Sequence, residues 1–105
     1  MKNRGTRYKF DGEKLMWDLL PVKPIEEVVD ILTFGAKKYN PESWRKVEDP
    51  INRYYAALMR HIIAYRNGEK IDPESGRTHL AHAICNLIFL SEFENKTLDK
   101  SLKQD

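Results

Sequence analysis

Only one cysteine, Cys85, occurs in the 105 residues, so no disulfide can form within the chain. It falls in an apolar stretch, where a lone thiol packs as a small apolar side chain in a reducing compartment. Long hydrophobic runs are also missing. None approaches the roughly 18 residues that a membrane span requires, and no secretory leader is visible. The expectation is a soluble, cytoplasmic protein without a membrane partner. Charge of one sign is not in excess either: 18 Lys and Arg face 16 Asp and Glu, a net +2. A balance this even argues against a general nucleic-acid binder. No strand-like alternation, internal repeat or low-complexity segment is present. What remains is a single domain with helical periodicity, an all-α fold.

Three apolar periodic stretches predict three main helices, near residues 24–38, 50–67 and 73–95. Pro24 suits the first turn of the first helix, with Glu26 and Glu27 at its positive end. Tyr39-Asn40-Pro41 closes it. Asp49-Pro50 reads as a cap followed by proline at the start of the second helix, and Gly68 as its terminator. Asp72-Pro73-Glu74 reads the same way at the start of the third. Before these helices, Leu15, Trp17, Leu19 and Leu20 form an apolar knot ending at Pro21, expected to be a short helical turn that packs on the bundle. The organisation is thus a basic arm over 1–11, one domain over 12–95 and a frayed polar tail over 96–105.

The third helix organises the rest. His79, His82 and Asn86 share a face at i, i+3 and i+7, and Leu80, Ile84, Leu87 and Ile88 cover the opposite side. A helix apolar on most sides is buried, and buried polar groups need partners. The other helices offer polar faces of their own. Glu27 and Asp30, with Lys38 further on, lie along the first. Arg53, Ala57, Arg60 and Ala64 make a stripe on the second, with His61 beside it. Small residues between arginines leave room for something that guanidinia can grip. Carboxylates, imidazoles and guanidinia together suit a divalent metal and a phosphorylated ligand. The alternatives at each position are ordinary: a solvated first turn, a satisfied buried histidine pair, surface arginines, a tryptophan that covers the core.

A longer ordered string carries more. Phe34-Gly-Ala-Lys-Lys-Tyr39, Trp44-Arg45-Lys46, Arg53-Tyr54, Ala57, Arg60-His61, Gly68-Glu69, Asp72-x-Glu74-Ser75-Gly76 and His79-Leu-Ala-His82-Ala-x-x-Asn86 follow one another over about residues 12–94. This string resembles a phage-associated dATP/dGTP diphosphohydrolase N-terminal-domain family, itself similar to the MazG-like all-α nucleotide pyrophosphohydrolases. The resemblance implies an all-α fold, nucleoside triphosphate substrates, cleavage to monophosphate and pyrophosphate, and a virus-encoded origin for relatives. It also implies magnesium held by acidic pairs on two helices. Here the first helix offers Glu27-x-x-Asp30, but the place of the second pair holds His79-x-x-His82. Magnesium prefers oxygen ligands, whereas imidazole suits manganese and the later transition metals.

The expected function is therefore a metal-dependent nucleotide pyrophosphohydrolase acting on (deoxy)nucleoside triphosphates, purine in preference. Glu27, Asp30, His79 and His82 are the expected ligands of a magnesium, manganese or other transition-metal ion. Glu27 or Glu74 is the expected general base. Lys38, Arg53 and Arg60 would neutralise phosphates, Tyr39 or Trp44 would stack on the base, and Arg45, His61 and Asn86 complete the substrate contacts. The alternative is a non-catalytic helical module that binds a nucleotide, another phosphorylated ligand or a partner protein. The apolar third helix further predicts a homo-oligomer, a dimer or tetramer.

Overall fold

The computed structural model describes residues 14–103; the basic arm expected at 1–11 and the very end of the expected tail lie outside them. The described residues form an all-α bundle of three helices: α1 (Val22–Lys38), α2 (Pro50–Arg66) and α3 (His79–Lys103). Short 3₁₀ turns cover Trp17–Leu19 and Ser43–Lys46. The only extended pairing among them is an isolated antiparallel bridge between Ile71 and Thr78. α3 packs chiefly on α2 and less extensively on α1. No helix is long and apolar enough to cross a membrane.

α1 starts at Val22, which places Pro24 in the first turn, where a missing N–H costs nothing. Pro50 takes the first position of α2 as expected. Asp49 before it sits in the left-handed region at φ 52° and makes no cap to the backbone; its carboxylate accepts from the Asn52 side-chain amide instead. α2 ends in a Schellman arrangement. Gly68, at φ 100°, donates to the Tyr65 carbonyl, and Glu69 donates to the Ala64 carbonyl.

The start of α3 departs from the sequence reading. Asp72 to Arg77 form a loop, and the helix begins at His79. Asp72 does cap backbone, but of a turn: its Oδ1 accepts from the Glu74 N–H at 2.9 Å. Gly76, at φ 75°, folds back so that its N–H reaches the Asp72 carbonyl at 2.7 Å. Asp and Pro favour this turn as readily as a helix start, and a glycine four residues on tips the balance. The true cap is Thr78, whose Oγ1 accepts from the Ala81 N–H. At its other end α3 runs on to Lys103 rather than fading near Asn95.

The core is small. Val28, Ala81, Ala83 and Cys85 are its buried apolar residues, joined by buried His79 and Asn86. The histidine face of α3 is thus the inward one. Within one chain the opposite face of α3 stays open: Leu80, Leu87 and Ile88 are 43, 51 and 45% exposed. Val29 on α1 is also open. The 3₁₀ turn at Trp17–Leu19 forms, but its apolar side chains stay largely open, Trp17 at 71% and Leu19 at 60% exposed.

Candidate functional site

Where α2 ends and α3 begins, three histidines meet. His61 and His79 face each other, Nδ1 to Nδ1, at 2.8 Å. The His79 Nε2 lies 2.7 Å from a carboxylate oxygen of Glu69, which the Schellman cap of α2 positions. His82 stacks on His61, ring centroids 4.5 Å apart and planes within 6°. Its Nε2 meets the Ser75 hydroxyl at 2.7 Å, with an Asp72 carboxylate oxygen 3.7 Å away. Asn86, one turn on, donates to the His82 carbonyl. Every buried polar side-chain atom among the described residues is partnered. Burial, then the neighbouring imidazoles of His82 and His79, hold His61 below its ordinary pKa. Burial does the same for His82, against the pull of Asp72. Both rings are therefore neutral at pH 7, the form that ligates metal.

The four expected metal ligands are not gathered together. Asp30 accepts from Arg77 Nε at 2.6 Å, and that hydrogen bond holds its carboxyl below the usual range. The Arg77 guanidinium also lies over the Phe34 ring. Among the described residues, the group of His, Cys, Asp and Glu donors close enough to share an ion is His61, Asp72 and His79, with ligand atoms within 4.8 Å of one another. Glu27, half-buried on α1, is not in it, nor is His82. Glu74 is exposed on the 72–77 loop rather than at a helix start. Glu69, Ser75 and Arg77 were not singled out from sequence. The Gly68-Glu69 and Ser75-Gly76 pairs held the signal, since glycine at a turn fixes what its neighbour reaches.

Two cavities lie along the helices. The larger, about 730 Å³, is mostly apolar and lies between α1, the 39–47 segment, α2 and α3; Leu32, Tyr39, Trp44, Arg53, Tyr54 and Phe89 are among its walls. Cys85 also lines it, its thiol pushed up by burial to about 11. The second, about 460 Å³, shares Val47, Arg53 and Tyr54 with the first and adds Asn52, Ala57, Arg60 and Asn86. The expected arginine stripe and Asn86 thus line one groove, with the alanine between leaving the room inferred from sequence. Neither cavity is lined by a carboxylate.

The aromatic residues divide. Trp44 is stacked on Phe89 at 4.5 Å and carries the Arg45 guanidinium at 4.3 Å, so a base would have to displace one of them. Arg45 is further held by Glu42 and Glu92. The Tyr54 hydroxyl donates to the Trp44 carbonyl and fixes that segment on α2. Tyr39, by contrast, is 70% exposed at the mouth of the large cavity, with the Lys38 ammonium 5.1 Å from its ring.

The model of the family described as dATP/dGTP diphosphohydrolase, N-terminal, matches residues 4–103. A protein of Salmonella phage PMBT28, named dATP/dGTP diphosphohydrolase, is 33% identical over 85 residues. The match covers 81% of this chain and 29% of that relative, so the chain spans less than a third of the length of the curated relative it matches. No solved structure matches.

Proposed function

The chain belongs to the dATP/dGTP diphosphohydrolase N-terminal family, and on that premise we propose that it binds a purine (deoxy)nucleoside triphosphate and cleaves it to monophosphate and pyrophosphate. The observation that carries the reading is the pair of cavities joined at Arg53 and Tyr54. The larger has the volume and apolar walls that suit a nucleobase and sugar, with Tyr39 at its mouth to stack. The smaller presents Arg53, Arg60 and Asn86, donors that suit phosphate oxygens. Lys38 adds a cation beside Tyr39. A divalent ion would polarise the phosphates and lower the pKa of an attacking water. Glu27, half-buried on α1, and Glu74, on the loop beside the histidines, are the candidate general bases.

A second reading is favoured by two observations: neither cavity is lined by a carboxylate, and the chain spans only 29% of its named relative. On that reading the domain binds the nucleotide and does not turn it over. Incubation of the purified chain with a nucleotide panel and several divalent metals separates the two. Pyrophosphate release supports the hydrolase; saturable binding without turnover supports the binding module; neither result leaves both without support. Self-association belongs to the same proposal. The open face of α3 carries Leu80, Leu87 and Ile88, which suits burial against a second copy.

A further inference from the structure

We infer that His61, His79 and Asp72 form a binding site for one divalent transition-metal ion of the zinc, cobalt or nickel class, rather than for magnesium. This site stands apart from the nucleotide reading and holds whether or not the chain is a hydrolase.

The donor set decides the class of ion. Two imidazole nitrogens and one carboxylate oxygen suit a borderline ion, and magnesium wants oxygen throughout. Three protein ligands with a position left for water are also the usual pattern of a reactive rather than a purely structural zinc-type site. The distances are near those required. Metal–nitrogen bonds of about 2.0–2.1 Å at tetrahedral angles set ligand atoms about 3.3 Å apart. The two Nδ1 atoms are 2.8 Å apart and need open only slightly. An Asp72 carboxylate oxygen lies within 4.8 Å of one ring nitrogen of each histidine, on the 72–77 loop whose turn holds that side chain in place.

Each of the three donors is already held by an outer partner, which distinguishes this cluster from a chance meeting of polar groups. Glu69 accepts from His79 Nε2, and a carboxylate can only accept, so the proton resides on Nε2 and the Nδ1 lone pair points at His61. This is the carboxylate–histidine arrangement that fixes the tautomer of a metal ligand. His82, anchored by Ser75, stacks on the His61 ring and sets its plane. Asp72 is pinned by the Glu74 N–H through Oδ1, leaving Oδ2 for other work. Without an ion, His61 Nδ1–H donates to His79 Nδ1. On binding, His61 gives its Nδ1 proton to solvent and takes one up at Nε2, so both Nδ1 lone pairs face the ion with no net proton release.

The test uses the full chain, stripped with a chelator and titrated with Co²⁺ as a spectroscopic probe. The expected result is one Co²⁺ per chain with visible d–d bands of tetrahedral or five-coordinate type, displaced by Zn²⁺ and not by excess Mg²⁺. His61→Gln should abolish the bands. Glu69→Gln should lower affinity by about 10–100-fold, the usual cost of an outer partner, while circular dichroism confirms the fold. Glu94→Gln, at an exposed position on the distal part of α3, should leave the titration unchanged. Absence of Co²⁺ binding to the wild type, bands that survive His61→Gln, or loss of binding with Glu94→Gln would each overturn the site.

Discussion

Arg60 is the residue on which the phosphate reading turns. It is exposed in the groove it shares with Arg53 and Asn86. Arg60→Ala should weaken nucleotide binding by about 1.5–3 kcal/mol, the scale of a charge-assisted hydrogen bond. α2 should persist, because alanine is the best helix former. Isothermal titration against the wild type checks this; unchanged affinity would make Arg60 a plain surface charge. The histidines set the response to pH. His61 and His82 are both depressed below their ordinary value of 6.5 in the folded chain. The unfolded chain then takes up protons first, so stability is full above about pH 6.5 and falls as pH drops below it. Asp30, depressed by Arg77, adds a separate loss only as pH falls below its ordinary 3.8. Melting temperatures in chelator should therefore decline between pH 7.5 and 5.5, and less so in His82→Gln. A flat profile in the wild type would contradict the depressed values. At this scale the sequence was informative where periodicity operates. Arg53, Arg60 and Asn86 were expected to face one ligand and do share a groove. The pairing of Asp30 with Arg77 was not legible, because the two lie 47 residues apart, a separation that no local pattern encodes.

Among the elements, the turn from α2 to α3 does the positioning. Gly68, at φ 100°, directs Glu69 back toward His79. Gly68→Ala meets no steric obstacle from neighbouring atoms, but a side chain is strained at that φ. It should cost about 1–2 kcal/mol of stability, measured by urea unfolding, with no change in helix content. A loss within error of zero would mean that the turn relaxes freely. The three helices were legible from apolar spacing, and the Schellman end of α2 from Gly68. The start of α3 was not. Asp72-Pro73 carries the same chemistry in a turn as at a helix start, and only Gly76 and the hydrogen bond from Asp72 N–H to the Arg77 carbonyl across the loop decide between them. The Trp44 segment is similar: an aromatic in a loop cannot announce that Phe89 and Arg45 occupy its ring.

For the molecule as a whole, no large side chain among the described residues is fully buried, and Leu80, Leu87, Ile88, Ile63 and Tyr55 remain open. Self-association at the α3 face should bring such residues out of water at about 25 cal/mol per Å². Light scattering at micromolar concentration should give a mass of at least twice 12.4 kDa; a clean monomer would refute this. The ion pair of Arg77 with Asp30 has a consequence in folding order. The His61–His79 contact joins residues 18 apart, the Asp30–Arg77 contact residues 47 apart. Loop-closure entropy favours the shorter, so α2 and α3 should assemble as one kinetic unit and α1 should join it last. In the reverse direction α1 should detach first, and native-state hydrogen exchange should report faster exchange there than in α2 or the first turns of α3. Uniform protection would argue otherwise. Because Ile31, Leu32 and Ala36 on α1 wall the large cavity, such a detachment would open a second and wider way in besides the mouth at Tyr39, and a bulky guest would pass through it while the histidine seam stays shut.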